Sequence, residues 1–533
     1  MPTMRILEAR TIAGNVKIPA EKPSTAVMVA HNSEIPTPRD QDARDMYKLG
    51  VRQETKRRFG LVTILAFTTT MMCTWESAIP FFTTAFVNGA GVSMIYGYLF
   101  AFVGSLATCA SMAEMASMYP ISGGQYHWVA LLAPRRSAKY LSWLTGWTSA
   151  LGWQAATSTG SYLGGFMIQS LIGLNNSGYT FPRWQCTLLM YAVLALCIFV
   201  NTVLVRFLPG LEGVILVLHV VGFFAIMIPI VYLAPISSNA FVWTQFTNFS
   251  GYSSSGLSWL VGQSASAILF IGYDGACHMA EEVQNAAVNV PRAMFFTIFI
   301  NGALGFATYI YILYCFGDPL NALNSPYPLP FIEIFQNAIR SRAGTTAIIT
   351  LLLAMYVFAT FGFIASASRQ AWAFSRDNGL PLSRLFKRVD SRFAIPMYAI
   401  ALTGVISTVL ALIQIGSYVA FNAIVSLTVS SYLSSYLIAI VCLILKKTHG
   451  EKIKLGPWNL GNYGLGINIF AALYTVVTVV FSFFPPRLPV NAESMNYSCV
   501  IFGGVIILGT IYYVVRGHKH YVGPTTEYDL DDE

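Results

Sequence analysis

Two short polar segments interrupt long apolar runs in this 533-residue chain, and each contains one carboxylate. The first, CTWESAIP at residues 73–80, contains Glu76, and the second, GYDG at residues 272–275, contains Asp274. An ionisable side chain in the middle of such a run is costly in lipid, so both acids are candidate functional residues. A carboxylate in that position can pair with the cationic group of a ligand or take a proton.

Both polar segments also contain helix breakers, namely Pro80 in the first and two glycines in the second. A helix that breaks inside the bilayer exposes N–H groups that attract a carboxylate and carbonyl groups that attract an ammonium. The segments lie five apolar runs apart, so inverted repeats of five helices would make them symmetry mates. We predict a central binding site that includes Thr74, Trp75, Glu76, Ser77, Tyr273, Asp274 and Gly275. The alternative is two kinked helices whose acids are capped by neighbouring hydroxyls.

Aromatic side chains complete the predicted site. Trp75 and Tyr273 can form a cation–π face for an amine, and we assign Trp153 and Phe361 to the same site. Ordinary packing of the helix bundle is the alternative interpretation of these aromatics. The histidines His219 and His278 are interpreted as core residues, with a proton relay as the alternative.

A second group of charged residues falls near the ends of apolar runs. We predict that these residues form a charge network that closes a gate: Glu114, Glu281, Glu282 and Arg369. Simple solvation at the membrane surface is the alternative.

The elements that must position these residues are membrane-spanning helices. Charged residues make up 11% of the chain, against about 25% in soluble domains. Apolar runs long enough to cross a bilayer fall near residues 61–87, 92–118, 140–172, 186–207, 211–233, 259–282, 293–316, 344–374, 396–414, 417–445, 465–484 and 498–515. The pattern predicts an all-α integral membrane protein of about twelve transmembrane helices.

The distribution of positive charge predicts the orientation of these spans. With both termini in the cytoplasm, 20 Lys and Arg residues flank the inner ends of the spans and four lie in outer loops. The predicted organisation is a disordered cytoplasmic tail at 1–55, a twelve-helix domain at 56–517 and an acidic cytoplasmic tail at 518–533. Within the domain the first repeat covers about 61–233, the second about 259–445, and two extra helices about 465–515.

Other functional classes are not supported by the residue pattern. The basic residues form short clusters between apolar runs, which disfavours nucleic-acid binding. We find no metal-ligand spacing, phosphate-binding loop or nucleophile triad, so we expect no enzyme activity, no metal and no cofactor. Three Asn-x-Ser sequons fall in the predicted outer loops and are glycosylation candidates: Asn175, Asn248 and Asn496.

Several motifs resemble amino acid–polyamine–organocation permeases. They are SMAEMASMYPISGGQY at 111–126, GYDGACHMAEE at 272–282 with VPR at 290–292, and SRDNGLPLSR at 375–384. The segments FFPPRLPV at 483–490 and MNY at 495–497 resemble the fungal amino acid–choline transporter branch, which includes choline and gamma-aminobutyrate permeases. The resemblance covers roughly residues 55–517.

The resemblance implies a LeuT-like fold, with ten core helices in two inverted repeats plus two more helices. It also implies alternating access, often driven by a proton gradient, and residence in the plasma membrane. The first-helix break of the choline carriers is rich in Gly and Ser, whereas this chain has Thr74, Trp75, Glu76 and Ser77 there. That difference weakens a direct transfer of the choline assignment.

Three functions remain open from the sequence. The first is a proton-coupled permease for an amino acid or related small amine. The second is a carrier of choline or another quaternary ammonium, which requires an aromatic cage. The third is a nutrient sensor that does not transport, which the short tails of about 55 and 18 residues disfavour.

Overall fold

The protein is almost entirely helical within the residues that its structure, a computed structural model, describes: 41–51, 53–416, 420–451, 453–491, 495–521 and 523–524. Those ranges contain three isolated β-bridges and no strand. The first helices are α1 Gln41–Lys48, α2 Leu61–Met72, α3 Thr74–Val87, α4 Ala90–Met118, α5 Gln125–Leu132, α6 Arg135–Asn175, α7 Arg183–Thr202 and α8 Leu208–Leu233. These are followed by α9 Asn239–Trp243, α10 Ser255–Ala267, α11 Gly275–His278, α12 Ala286–Tyr314, α13 Pro319–Leu323 and α14 Phe331–Ile339.

The described part of the last third of the chain is also mainly helical. It contains α15 Arg342–Arg376, α16 Ser383–Phe386, α17 Met397–Gly416, α18 Ala420–Thr448, α19 Gly464–Ser482, α20 Ser498–Tyr512 and α21 His518–His520. Short 3-10 helices occupy Val205–Phe207, Ile268–Phe270, Ala280–Glu282 and Gly461–Tyr463, and one π-helix occupies Tyr513–Gly517.

Ten helical segments in the described ranges are long and apolar enough to cross a membrane, and each matches a predicted span. The two other predicted spans differ in character. Residues 61–87 form two helices, because the first span breaks at Cys73. Residues 140–172 lie inside α6, a 41-residue helix that is rich in Gly, Ser and Thr. The prediction of an all-α membrane protein is confirmed.

Small residues allow the helices of the bundle to approach closely. The long helix α6 packs along α15 and α18, and α12 packs along α2, α3 and α4. At Gly160 of α6 an added Cβ would lie 2.5 Å from the Thr360 hydroxyl of α15. At Gly104 of α4 it would lie 2.2 Å from the Tyr474 ring of α19. Glycine at these positions permits the contact that a larger residue would prevent.

The predicted disordered tail differs from the structure over its last part, because Gln41–Lys48 form a helix. That helix is held in place by the burial of Met46 and by Asp42. The Asp42 carboxylate accepts hydrogen bonds from the backbone N–H groups of Asn285 at 2.7 Å and Ala286 at 3.0 Å, at the N-terminus of α12. Residues 1–40 and most of the predicted acidic tail, 525–533, lie outside the described residues.

Candidate functional site

The first span is interrupted by a single residue, Cys73, with φ 37° and ψ 49°. A left-handed conformation is unusual for a residue other than glycine, and it ends α2 and redirects the chain into α3. The Thr74 hydroxyl then donates a hydrogen bond to the carbonyl oxygen of Leu269 at 2.7 Å. This bond ties the break in the first span to the sixth.

The sixth span is interrupted over a longer stretch. Helix α10 ends in a 3-10 turn, Ile271 is extended, and Gly272 has φ 98°. The chain becomes helical again at Gly275, where an added Cβ would lie 2.2 Å from the Met71 side chain of α2. Both predicted breaks are therefore present, and the two broken spans touch each other at the breaks.

A central cavity of about 40 Å³ lies beside the two breaks. Its volume corresponds to about three water molecules. Side chains and backbone from five spans line it: Met72, Cys73, Ser77, Phe81, Ala156, Thr159, Gly160, Leu163, Ile268, Ile271, Gly272, Tyr356, Phe363, Thr428 and Tyr432. None of these residues carries a charge, and four of them are aromatic.

The hydroxyls on the cavity wall are joined in pairs. Tyr356 Oη donates to Ser77 Oγ at 2.9 Å, and Thr159 and Thr428 place their Oγ1 atoms 3.4 Å apart. The hydroxyl of Tyr432 has no hydrogen-bond partner within the described part of the chain. The cavity therefore offers neutral hydroxyl donors and acceptors together with aromatic faces.

The prediction that Glu76 and Asp274 both face a solute differs from this arrangement, because neither lines the cavity. Ser77 and Phe81, four residues apart, share the face of α3 that meets it. Adjacent helical residues point about 100° apart, so Glu76 turns away from that face. Ser77 is the predicted binding residue that reaches the cavity wall, and the others surround it.

Glu76 contacts a histidine of α8 instead. Its Oε1 lies 2.6 Å from Nδ1 of His219, and both side chains are fully buried. A contact this short requires one proton between the two atoms, carried by either group. Trp75 packs its ring against His219 and against Phe223, at centroid distances of 5.8 and 5.6 Å. The predicted site residues Trp75 and Glu76 therefore contact α8 and do not face the central cavity.

Asp274 lies in a second buried polar group. It accepts hydrogen bonds from Gln125 Nε2 and Tyr436 Oη, both at 2.6 Å. Its Oδ2 also lies 3.4 Å from Nε2 of His278, whose Nδ1 donates to the carbonyl of Ser122 at 2.9 Å. Asp274 and His278 therefore lie in one buried polar group, on the side of the sixth span that faces α5 and α18.

The predicted aromatics lie near the cavity but behind its wall. Trp153 packs edge-on against Tyr432, with ring centroids 5.1 Å apart, and against His278 at 5.3 Å. Tyr273 packs against Tyr436 at 5.4 Å. Trp153 thus packs against Tyr432, which lines the cavity, and Tyr273 packs against Tyr436, which donates a hydrogen bond to Asp274.

Phe361 is also displaced from the cavity. Its carbonyl oxygen accepts a hydrogen bond from Asn201 at 3.0 Å, and its ring packs against Phe358. Two other residues of α15, Tyr356 and Phe363, reach the cavity in its place.

One buried acid was not singled out from the sequence. Glu212 of α8 accepts a hydrogen bond from Thr70 of α2 at 2.8 Å. It lies seven residues, or two turns, before His219, so the two side chains share the face of α8 that packs on the first span. Its position inside the predicted span 211–233 was the signal available in the sequence.

The central cavity is closed toward both ends of the helix bundle. We call the end that carries Arg58, Arg376 and Lys447 the basic end, and the end that carries residues 328–330 and 484–487 the opposite end. A vestibule of about 260 Å³ lies at the opposite end. Phe81 borders both the vestibule and the central cavity, and its ring stacks on Phe421 at 5.8 Å with an interplanar angle of 8°. These two rings separate the two spaces.

Two ion pairs with buried carboxylates lie at the basic end. Glu282 accepts from Arg369 Nε at 2.9 Å, and Glu281 is held by Arg376 through two hydrogen bonds of 2.9 and 3.1 Å. The predicted gate residues Glu281, Glu282 and Arg369 are brought together, and Arg376 joins the same ion pairs although the sequence analysis did not single it out. Just beyond α15, burial raises the pKa of Asp377, although the positive charge of Arg376 opposes the rise.

Glu114 is separate from these pairs. Its carboxylate lies 2.5 Å from Nζ of Lys447 and accepts from the backbone N–H of Leu460 at 3.2 Å. The placement of Glu114 in the same gate network is therefore corrected: it joins α4 to α18 and to the segment before α19.

An N-terminal strap, residues 53–59, covers the basic end. Thr55 donates to the carbonyl of Glu281 at 3.1 Å, and the backbone N–H groups of Arg58 and Phe59 donate to the carbonyl of Glu282 at 2.8 and 3.0 Å. The N–H of Gln284 returns a bond to Phe59 at 2.9 Å. The strap therefore lies across the segment that carries Glu281 and Glu282.

The three sequons differ in accessibility. Asn175 is exposed, and so is Asn248, whose amide donates to the carbonyl of Tyr252 at 2.6 Å. Asn496 is buried, and its amide donates to the carbonyls of Ser482 and Phe484 at 2.8 and 3.1 Å. Asn496 is thus a poor glycosylation candidate, because a glycan would displace both bonds.

Known proteins similar to this chain are permeases and transporters. A family described as amino acid permease matches residues 59–506. An amino-acid permease of Arabidopsis thaliana is 31% identical, over 90% of this chain and 95% of its own length. Amino-acid permease 2 of Neurospora crassa is 28% identical, over 86% and 83%. A choline transporter of Saccharomyces cerevisiae is 27% identical, over 90% and 85%.

Proposed function

Because this chain belongs to the amino acid permease family, it is a multi-pass membrane transporter and not an enzyme, and we propose that its substrate is a zwitterionic amino acid or related small amine held in the central cavity. The observation that carries the proposal is the position of an uncharged cavity beside two broken helices. Because no residue of the cavity wall is charged, the cavity suits a zwitterion, whose positive and negative charges cancel. Its carboxylate would meet N–H groups at the start of α3, and its ammonium would meet carbonyl groups where α10 ends.

A second candidate substrate is a quaternary ammonium such as choline. Four aromatic side chains border the cavity: Phe81, Tyr356, Phe363 and Tyr432. Such rings attract a cation that has no proton to donate. The similarity to a choline transporter supports the same candidate.

We further propose that transport is coupled to a proton held by Glu76 and His219. The pair lies directly beside the residues of the first break, and it is fully buried. A change in its proton occupancy alters the charge at the base of α3 while leaving the cavity neutral. Asp274 and His278 are a second acid–histidine neighbourhood beside the second break, with a longer separation of 3.4 Å.

The proposed orientation places the basic end in the cytoplasm, with both termini on that side. The clustering of Lys and Arg at this end supports it. The two ion pairs and the N-terminal strap then form the cytoplasmic gate, and the Phe81–Phe421 pair forms the outer one. We assign the plasma membrane as the location, on the resemblance to the family.

Uptake into liposomes tests the proposal. Full-length protein is reconstituted and supplied with radiolabelled amino acids, gamma-aminobutyrate and choline, with and without an acidic exterior. We expect an amino acid to accumulate in the liposomes, and we expect an acidic exterior to increase that accumulation. Choline uptake that amino acids do not inhibit would instead establish the quaternary ammonium carrier, and accumulation indifferent to the pH gradient would refute proton coupling.

A further inference from the structure

A basic groove lies at the basic end, between the loop that follows α15 and the last turns of the final span. Its volume is about 650 Å³. The segment after α15, which includes the short helix α16, contributes Leu382, Arg384 and Arg388, and the final span contributes Tyr512, Arg516 and His520. The groove is separate from the central cavity and from the ion pairs of the gate.

The arginines of the groove have no counter-charge within the described residues. Arg384, Arg388 and Arg516 are exposed, and their side chains form no ion pair or hydrogen bond there. By contrast, Arg369 and Arg376 of the preceding helix both pair with glutamates. Three unpaired guanidinium groups around one depression form a site for an anion with several oxygen acceptors.

Nearby acids are already engaged. Asp377 accepts a hydrogen bond from the Tyr126 hydroxyl at 2.8 Å. Asp390 accepts from the backbone N–H groups of Arg392 and Phe393, both at 2.9 Å. Neither carboxylate neutralises the groove.

An apolar strip leads from the groove along the final span. The strip is formed by five largely exposed side chains, Ile507, Leu508, Ile511, Val514 and Val515. Because this span crosses the membrane, the strip faces acyl chains, and it ends at Arg516. A molecule that fits both features has a long apolar part and an anionic head.

The backbone on both sides of the groove is irregular. Leu382 is 72% exposed and has φ 57°, a left-handed conformation that is costly for leucine. The π-helix Tyr513–Gly517 shifts the direction of Arg516, and it is fixed by Gly517, where an added Cβ would lie 2.7 Å from the Trp143 ring. Leu382 thus points an apolar side chain outward beside the arginines.

We propose that this groove binds the headgroup of an anionic phospholipid whose acyl chains lie on the strip of the final span. The inference goes beyond transport itself, and it rests on the basic end facing the cytoplasmic leaflet, where anionic lipids concentrate. The phosphate is held by Arg384, Arg388 and Arg516, with His520 at the rim.

Native mass spectrometry of the full-length protein, purified in a neutral detergent, tests the site. Phosphatidylinositol and phosphatidylcholine are added separately, and the bound fraction is measured. Wild type should retain phosphatidylinositol about tenfold better than phosphatidylcholine, because several arginines contact one headgroup. The triple variant R384Q/R388Q/R516Q should lose that preference. A preference that survives in the triple variant overturns the proposal.

Matched controls distinguish a bound lipid from a free anion and from the acidic tail. The variant R135Q/R136Q/R206Q removes three exposed arginines elsewhere on the chain and should keep the preference. The single variant R516Q should lose part of it, which keeps the test valid if the triple variant does not fold. If inorganic phosphate binds the wild type as well as phosphatidylinositol does, the ligand of the groove is a free anion and not a lipid. A lipid preference seen only after deletion of residues 525–533, which contain five acids, would assign the groove to that tail.

Discussion

At the scale of single residues, Tyr432 can be compared with Tyr309, which is similar to it except in its distance from the cavity. Both are buried, and neither hydroxyl has a hydrogen-bond partner among the residues that the structure describes, but only Tyr432 lines the central cavity. A hydroxyl that bonds a ligand contributes about 0.5–1.5 kcal/mol. Tyr432→Phe should therefore raise the KM for uptake about two- to tenfold. Initial uptake rates over a range of substrate concentrations measure this.

Tyr309→Phe is the control for that prediction. It removes an equivalent hydroxyl away from the cavity, so its KM should equal that of the wild type. An equal rise in both variants would show that the effect is structural and that the cavity does not hold the substrate.

Glu76→Gln should abolish proton-driven accumulation and leave exchange of substrate across the membrane intact. The amide can still bond His219, but it cannot release a proton. Uptake driven by a pH gradient and counterflow at equal pH are measured side by side. Asp274→Asn should also lower uptake at normal expression.

Glu212→Gln serves as the comparison, because it also neutralises a buried acid between α8 and the first span. It should keep proton-driven accumulation. Loss of accumulation in Glu212→Gln alone would move the proton site from Glu76 to Glu212.

Asn496 supports the fold through the two carbonyls that its amide bonds. Asn496→Gln should lower the free energy of unfolding by about 1–3 kcal/mol, because it leaves buried acceptors without a donor. Asn175→Gln should leave it unchanged and remove glycan from protein made in a secretory pathway. Thermal unfolding and gel mobility after enzymatic deglycosylation test both statements, and a glycan found on Asn496 would contradict them.

The sequence predicted which polar residues lie inside the spans better than it predicted the directions of their side chains. Glu76 and Asp274 stand out because charge is rare inside spans. Their orientation was not predictable, since the left-handed Cys73 resets the direction of every later residue in α3. Likewise, His219 becomes a partner of Glu76 only through the packing of α8 on α3, which no local pattern encodes.

At the scale of elements, the ion pair between Glu282 and Arg369 holds the sixth span to α15. Removing one partner of a buried ion pair destabilises the fold by about 3–5 kcal/mol, because the other charge remains buried without a counter-charge. Glu282→Gln should therefore favour opening of the basic end. Labelling of the buried Cys277 by N-ethylmaleimide, followed by peptide mass spectrometry, should increase.

Lys447→Gln breaks the contact with Glu114, which lies outside the gate, and should leave Cys277 labelling at the wild-type level. Similar labelling of both variants would show general loosening instead of gate opening.

The elements themselves were largely predictable. Apolar runs predicted the spans, and the polar segments marked the broken ones, although Pro80 lies within α3 and the first break falls at Cys73. The ion pairs of the basic end were only partly predictable, because Arg376 and Glu281 meet through the shape of the segments between spans. Helix α6 was predicted as a span despite its many hydroxyl-bearing residues, because it is long enough to cross a membrane.

At the scale of the whole molecule, the N-terminal strap joins the start of the chain to its middle. Deleting residues 1–40 should leave uptake unchanged, because Asp42 and the strap keep their contacts. Deleting residues 1–58 should lower the unfolding temperature and expose Cys277, since Glu281 and Glu282 lose their cover. Thermal unfolding and thiol labelling of the two deletions check this, and identical behaviour would rule out a role for the strap.

The strap also has a consequence for biosynthesis. Thr55 bonds the carbonyl of Glu281, which the ribosome adds 226 residues later. At about 5–20 residues per second, that interval is on the order of tens of seconds. During this time five spans are synthesised before the carbonyl that Thr55 bonds exists, so the strap cannot form this contact until the sixth span has been made.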